Sequence, residues 1–83
     1  MTANSEDVAK IEESLLEGAS IRRVINLQVA SAGDDLVVGA KVDIDAELTM
    51  KEVSVILAQA KRRVQKAVPE AKIVYIEPDV WID

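Results

Sequence analysis

The sequence predicts a small two-layer α+β domain, with two helices packed on one face of a three-stranded mixed sheet. Two stretches repeat apolar residues every three or four positions, which indicates helices, and three short apolar or alternating stretches indicate strands. Their order is helix, strand, strand, helix, strand. With 83 residues, 49% of them apolar, the chain has material for one compact core.

The first predicted element is a helix over about Glu6–Glu17. Ser5 is a suitable N-cap, and the glutamates lie away from the apolar stripe. Gly18 suits the position just past the helix end, where a left-handed residue is common. The apolar stripe consists of Val8, Ile11, Leu15 and, less regularly, Ala19. Residues 1–4 are expected to fray.

Two strands are predicted next, over Ile21–Ala30 and Leu36–Ile44, because both segments alternate between two faces. The connecting segment Ser31–Asp35 contains the Gly and Asp that tight turns use, which favours an antiparallel hairpin. One face of the first strand carries Ile25, Leu27 and Val29. The inner face of the second strand consists of Leu36, Val38, Ala40, Val42 and Ile44.

The longest predicted element is an amphipathic helix that begins after Thr49 and is stopped by Pro69. Thr49 and Glu52 have the spacing of a capping box, in which each side chain binds the other's free backbone N–H. Basic residues complement the helix dipole at its far end, namely Lys61, Arg62, Arg63 and Lys66. The apolar stripe consists of Val53, Ile56, Leu57, Ala60, Val64, Ala67 and Val68.

The third strand is predicted at Ile73–Ile76 and is bounded by Pro78, with residues 79–83 as a C-terminal tail. The second strand, the long helix and the third strand form a crossover, so the sheet is mixed. Its other face carries apolar residues, among them Val37, Ile73 and Tyr75. A homodimer is an economical way to cover such a face in a small domain.

The composition excludes several classes of function. The chain has no Cys and no His, which excludes disulfides, metal sites of sulfur or imidazole ligands, and triads built on those side chains. A net charge of −5 argues against a nucleic-acid partner. The longest apolar run, Leu36–Ala40, is far shorter than the roughly 20 residues of a membrane span, and the polar N-terminus is unlike a signal peptide. We therefore expect residues 1–83 to form one soluble domain that does not insert into a membrane.

Two features leave alternatives open. Asp43, Asp45 and Glu47 alternate at the end of the second strand, either as a hard-cation site or as an ordinary polar strand end. The spacing of an EF-hand is absent there. Trp81 lies in the tail, where it either docks on its own domain or anchors a partner subunit.

The order of these motifs resembles the C-terminal cytoplasmic domain of cation diffusion facilitator (cation efflux) transporters. The matching features are V-D-I-D-A-E-L-T-M-K-E-V leading into the long helix, its A-V-P end and the closing I-V-Y-I-E-P-D, within about Ile21–Asp79. Members of this family export zinc and related divalent cations in exchange for protons. The resemblance implies a ferredoxin-like, metallochaperone-like domain on the cytoplasmic side that forms a homodimer and regulates the transporter. If the chain is a fragment, the transporter's membrane domain is a further partner.

The family's metal ligands are largely absent from this sequence. By the resemblance, zinc-binding members carry His at the positions of Ile25, Ser54 and Tyr75, and Asp at the position of Glu77. Only Glu77, with Asp79 nearby, remains as a candidate metal ligand, fewer than the three or four that zinc needs. The resemblance therefore implies a dimer contact that is independent of metal. The residues predicted for that contact are Tyr75, Glu77 and Trp81.

The alternative function is a stand-alone module that binds a small molecule or carries a metal on the same scaffold. A copper carrier of this shape needs a Cys pair, which the chain lacks. We predict no enzymatic activity and no catalytic residue, because no two carboxylates have a spacing that distinguishes them from the others as an acid–base pair. Tyr75 with Lys41 or Glu77 is too little for a site. A divalent cation at Glu77 and Asp79 would be the only cofactor.

Overall fold

The computed structural model describes residues 5–80, which form two helices and three strands in the predicted order. The elements are α1, Ser5–Leu16; β1, Ile21–Ala32; β2, Asp35–Ile44; α2, Met50–Ala67; and β3, Ala71–Asp79. The strands form one sheet in the order β1-β2-β3, in which β1 is antiparallel and β3 parallel to the central β2. The predicted α+β architecture with a mixed sheet is confirmed.

The core lies between the helices and one face of the sheet. The predicted inner face of β2 is buried along its whole length, from Leu36 to Ile44. The largest fully buried side chains are Ile11, Leu15, Val38, Val42, Val64 and Val68. The smallest dimension of the backbone, 17 Å, fits one layer of helices on one sheet, because packed layers lie about 10 Å apart.

A two-residue turn at Gly33 and Asp34 joins β1 to β2, and both strands are longer than predicted as a result. Ala32 and Asp35 pair directly across this turn. Gly33 has a φ of 66°, which glycine adopts without steric cost. A glycine with positive φ at the first central position is typical of a type II′ hairpin turn.

Irregular pairing between β1 and β2 changes the alternation predicted for β1. The register with β2 passes over Ile25, which therefore lies in a bulge. Val24 and Leu27, three positions apart, both pack against the core, whereas the half-buried Ile25 does not. The prediction that Ile25 shares a face with Leu27 and Val29 is wrong for this reason.

β3 runs through Pro78 to Asp79, three residues beyond the end predicted at Ile76. Proline is tolerated there because β3 is an edge strand, so one of its sides has no neighbour in the sheet. Pro78 therefore does not bound the strand, and Asp79 belongs to the sheet rather than to a tail. Residues 1–4 and 81–83, including Trp81, lie outside the described residues.

In each helix, one residue that was predicted to belong to the apolar stripe is exposed. α1 ends at Leu16, and Ala19 is exposed in the turn that follows. Ala67, the last residue of α2, is exposed as well, while the other members of its stripe belong to the core or pack against it. Gly18 does not have a positive φ, so the left-handed helix ending predicted for it is absent.

The start of α2 confirms the predicted capping box. The Thr49 side chain accepts the backbone N–H of Glu52 at 3.2 Å, and the Thr49 backbone N–H donates to Oε1 of Glu52 at 3.1 Å. Oε1 of Glu52 also accepts the Thr49 hydroxyl at 3.0 Å, and the bonds that it accepts from the Thr49 backbone N–H and hydroxyl lower the pKa of Glu52 from its ordinary value of 4.5, the backbone bond having the larger effect. Ionisation of the Glu52 carboxylate therefore strengthens the cap.

Arg63 joins the two helices. Its Nε donates to the carbonyl oxygen of Ser14 at 2.8 Å, and its Nη2 donates to that of Leu15 at 3.2 Å. These carbonyls belong to the last turn of α1, which has no basic residue of its own. Arg63 thus caps the C-terminus of α1 rather than that of its own helix.

Candidate functional site

The face of the sheet away from the helices, called the open face below, is the candidate site. On β2 and β3 it consists of the side chains that alternate with the core residues. The register aligns four rows across the three strands: Ala30, Val37 and Ile73; Gln28, Gly39 and Tyr75; Asn26, Lys41 and Glu77; Arg23, Asp43 and Asp79. The open face therefore changes from apolar to charged along the strands.

The apolar part of the open face is well exposed. Tyr75 is 69% exposed and Ile73 is 45% exposed. Gly39, the register partner of Tyr75, has no atom within 4 Å of the place that a Cβ would take. A shallow groove of about 400 Å³ lies here, lined by Asn26, Gln28, Gly39, Lys41, Tyr75 and Glu77. The prediction that this face is not fully polar is confirmed.

The charged part of the open face has a lysine at its centre. Nζ of Lys41 lies 3.8 Å from Oε2 of Glu77 and 3.8 Å from Oδ2 of Asp79. Lys41 and Glu77 are also register partners on neighbouring strands. One ammonium group therefore serves both carboxylates of β3.

Two arginines of β1 face the carboxylates at the end of β2. Arg23 Nε lies 3.6 Å from Oδ2 of Asp43, and Arg22 Nη2 lies 3.5 Å from Oδ2 of Asp45. Oδ1 of Asp45 accepts the backbone N–H of Glu47 at 2.8 Å. Asp43 is only 5% exposed, so its charge needs such a partner. These contacts favour the polar strand end over the hard-cation site.

Glu77 and Asp79 do not fit a divalent cation. They are two positions apart on β3, and Lys41 pairs with both of them. Within residues 5–80, no group of three or more His, Cys, Asp or Glu side chains is placed to hold a metal ion. Two carboxylates that share an ammonium group offer too few ligands and an unfavourable charge.

The remaining predicted site residues are spread over the domain. Tyr75 and Glu77 are two residues apart on the open face. Ser54 is exposed on α2, in the other layer, and Ile25 lies in the bulge of β1. Trp81 lies outside the described residues, so its place in a dimer contact stays a prediction.

Sequence reasoning did not identify Arg22 and Arg23 as part of this surface. A second irregularity in the β1–β2 pairing falls between Ile21 and Arg23, where the two arginines meet the carboxylates of β2. Opposite charges at the facing ends of a hairpin are the signal that points to such pairs. Using it requires the register, which depends on the turn at Gly33.

The fold and its motifs define a class of protein. The family model of the cation efflux protein, cytoplasmic domain, matches residues 3–79. This match spans nearly the whole chain, and the chain belongs to that family of cytoplasmic domains. Neither α1 nor α2, the helices of residues 5–80, combines the length and the hydropathy of a membrane-spanning helix.

Solved structures of the MamM C-terminal domain share this fold. A cadmium form has a TM-score of 0.88 at 17% identity, covering 94% of this chain and 98% of that one. A nickel form has a TM-score of 0.89 at 16% identity, covering 95% and 100%. A copper form has a TM-score of 0.87 at 17% identity, covering 93% and 94%. At this identity the likeness establishes the metallochaperone-like fold alone. Among curated protein sequences there is no significant match.

Proposed function

We propose that this domain holds two copies of itself together on the cytoplasmic side of a divalent-cation exporter, through the open face and without a bound metal. The relative tilt of the two copies would then be passed to the exporter's membrane domain. The observation that carries the proposal is the open face itself, where exposed apolar side chains of β3 stand on the one face of the sheet that neither helix of residues 5–80 covers.

The shape of the open face supports contact with a second copy. In a two-fold symmetric dimer, the same surface of both copies forms the contact, and each contact occurs twice. A projection on that surface of one copy can therefore fill a hollow on the same surface of the other copy. Tyr75 projects, and the hollow over Gly39 lies beside it. Tyrosine is enriched among residues that dominate interface energies, because it buries a large ring and keeps a hydroxyl for a polar partner.

The charges of the open face support assembly without a metal. Two copies of a chain with a net charge of −5 repel each other, and the repulsion at their contact is smaller where the carboxylates there are paired with basic side chains. Lys41 supplies positive charge to Glu77 and Asp79, and Arg23 supplies it to Asp43. A divalent cation is therefore not needed to offset these carboxylates.

Tyr75→Glu tests the contact. We expect the dissociation constant of the dimer to rise at least about 30-fold, because a buried aromatic anchor is typically worth about 2 kcal/mol or more. Sedimentation velocity over a dilution series measures this change. Val55→Glu is the matched control, since Val55 is 51% exposed on α2 in the other layer. Equal dissociation constants for Tyr75→Glu and Val55→Glu would place the contact elsewhere.

A further inference from the structure

The first three rows of the open face complement themselves. Each row has one residue on β2 and its register partner on β3, namely Val37 with Ile73, Gly39 with Tyr75, and Lys41 with Glu77. These pairs combine two apolar side chains, a hollow with a projection, and a positive with a negative charge. A surface on which each residue matches its neighbour on the next strand is suited to contact with a copy of itself.

One two-fold axis brings all three pairs into contact between two copies. It runs along the strands, midway between β2 and β3, in the plane between the two facing sheets. Rotation about this axis places β2 of one copy over β3 of the other, with every row in register. Sheets packed face to face lie about 10 Å apart, with strands within about 30° of each other. Tyr75 of one copy then fills the hollow over Gly39 of the other.

A two-fold axis across the strands does not give this match. When it passes through the middle of the three rows, β2 of one copy faces β2 of the other in the opposite direction. Lys41 then faces Val37, and Glu77 faces Ile73. Charged groups would lose water against apolar side chains, which is unfavourable. The open face therefore favours the axis along the strands.

Lys41 has donors available for a carboxylate of another copy. Its Nζ lies 3.8 Å from Oε2 of Glu77 and from Oδ2 of Asp79, beyond the limit of about 3.2 Å for an N–H···O hydrogen bond. None of its three N–H groups therefore donates to these two carboxylates. The side chains of Lys41 and Glu77 are 39% and 70% exposed, so both can reach across a contact. We infer that Lys41 of one copy pairs with Glu77 of the other, twice in each dimer, and that this exchange makes the open face selective for a second copy of this chain.

The fourth row contributes less to the contact. In the same arrangement Asp43 faces Asp79 of the other copy, and the two carboxylates repel each other. Arg23, the member of this row on β1, pairs with Asp43 and offsets one of these charges. Selectivity therefore depends on Lys41 and Glu77. The exchange rests on the dimer proposed above, to which it adds the direction of the axis and the pair that selects the partner.

Lys41→Glu and Glu77→Lys, each alone and mixed in equal amounts, test the exchange. Either variant sets like charges against each other twice in its own dimer, whereas the mixed dimer again has two pairs of opposite charge. The pair within the chain stays broken in both variants, so only contact between chains favours the mixture. Sedimentation velocity should give an apparent dissociation constant at least about 10-fold lower for the mixture than for either variant alone.

Lys10→Glu and Glu13→Lys are the matched control pair. Both positions are exposed on α1, in the other layer, and the two substitutions change the net charge by the same amounts. Each control variant should dimerise as the wild type does, and their mixture should show no preference for the mixed dimer. An equal preference in the control mixture would mean that net charge drives the association, and it would overturn the inference.

Urea unfolding checks that each variant is folded. Where a charge reversal unfolds the chain, Lys41→Gln and Glu77→Gln replace the two reversals, because their mixed dimer regains one of the two ion pairs. Their mixture should then still associate more tightly than either variant alone.

The wild-type chain at the same concentrations distinguishes a failure of the exchange from a failure of the dimer. A wild-type dimer, combined with a mixture that associates no more tightly than each variant alone, would overturn the exchange and leave the dimer standing. A wild-type chain that stays monomeric would overturn the dimer proposal and the exchange with it.

Discussion

Thr49 and Glu52 show how a contact between near neighbours fixes the start of α2. The two side chains exchange hydrogen bonds with each other's backbone N–H groups, three residues apart. Such a contact depends only on local sequence, so the Thr-x-x-Glu spacing was sufficient to predict it. Its strength depends on pH, since the two bonds that the Glu52 carboxylate accepts from Thr49 lower the pKa of Glu52.

Replacing Glu52 by Gln should weaken the cap in a pH-dependent way. The pKa of Glu52 is lower in the folded than in the unfolded chain, so ionisation stabilises the fold above 4.5. This contribution is lost as the pH falls through the folded-state pKa. We expect Glu52→Gln to be less stable than the wild type at neutral pH, with a difference that disappears in acid.

Urea unfolding between about pH 7 and pH 3 measures that difference. Glu13→Gln, on the exposed side of α1, controls for the loss of one carboxylate. A difference that stays constant with pH would show that the charge of Glu52 does not act in the cap.

At the scale of elements, the local pattern of apolar residues predicted which helices and strands form. Contacts between residues distant in sequence determine their irregularities and boundaries. All five elements follow from apolar periodicity, because each must bury one face. The bulge at Ile25 depends on how β1 pairs with β2. The continuation of β3 through Pro78 is possible because β3 has no neighbouring strand on one side. Arg63 is a further example: it reaches Ser14, 49 positions earlier, although its place suggested a role at the end of α2.

The joint between α1 and α2 is tested with Arg63→Met. We expect it to cost about 1–3 kcal/mol, because two hydrogen bonds from a charged donor are lost at the end of α1. Arg62→Met, at an exposed neighbouring position, is the control. The free energy of unfolding from urea titration gives both values; equal values would show that the two bonds to α1 do not stabilise the fold.

The effect of Gly18→Ala on the free energy of unfolding should depend on the residue at position 63. An added Cβ at Gly18 would stand 3.1 Å from Nη2 of Arg63, which is held by its bonds to α1. We therefore expect Gly18→Ala to destabilise the wild type. With Arg63→Met it should be neutral or stabilising by up to about 1 kcal/mol, because alanine restricts the unfolded chain. The same effect in both backgrounds would contradict the close approach of Arg63 to Gly18.

At the scale of the whole molecule, the open face connects the fold to the proposed function. Alternation along β3 was sufficient to predict that Ile73 and Tyr75 lie on it. The rows across the sheet were not predictable, because they depend on the register and on both irregularities of β1. For the same reason the sequence suggested Glu77 and Asp79 as metal ligands without revealing that Lys41 pairs with both of them.

Sedimentation equilibrium of the wild-type chain, in EDTA and with zinc added in excess, tests the central claim most directly. The account predicts a dimer in EDTA, with a dissociation constant that zinc leaves unchanged. Neutralised carboxylates and an apolar contact do not require a cation. A chain that is monomeric in EDTA and dimerises when zinc is added would contradict the account.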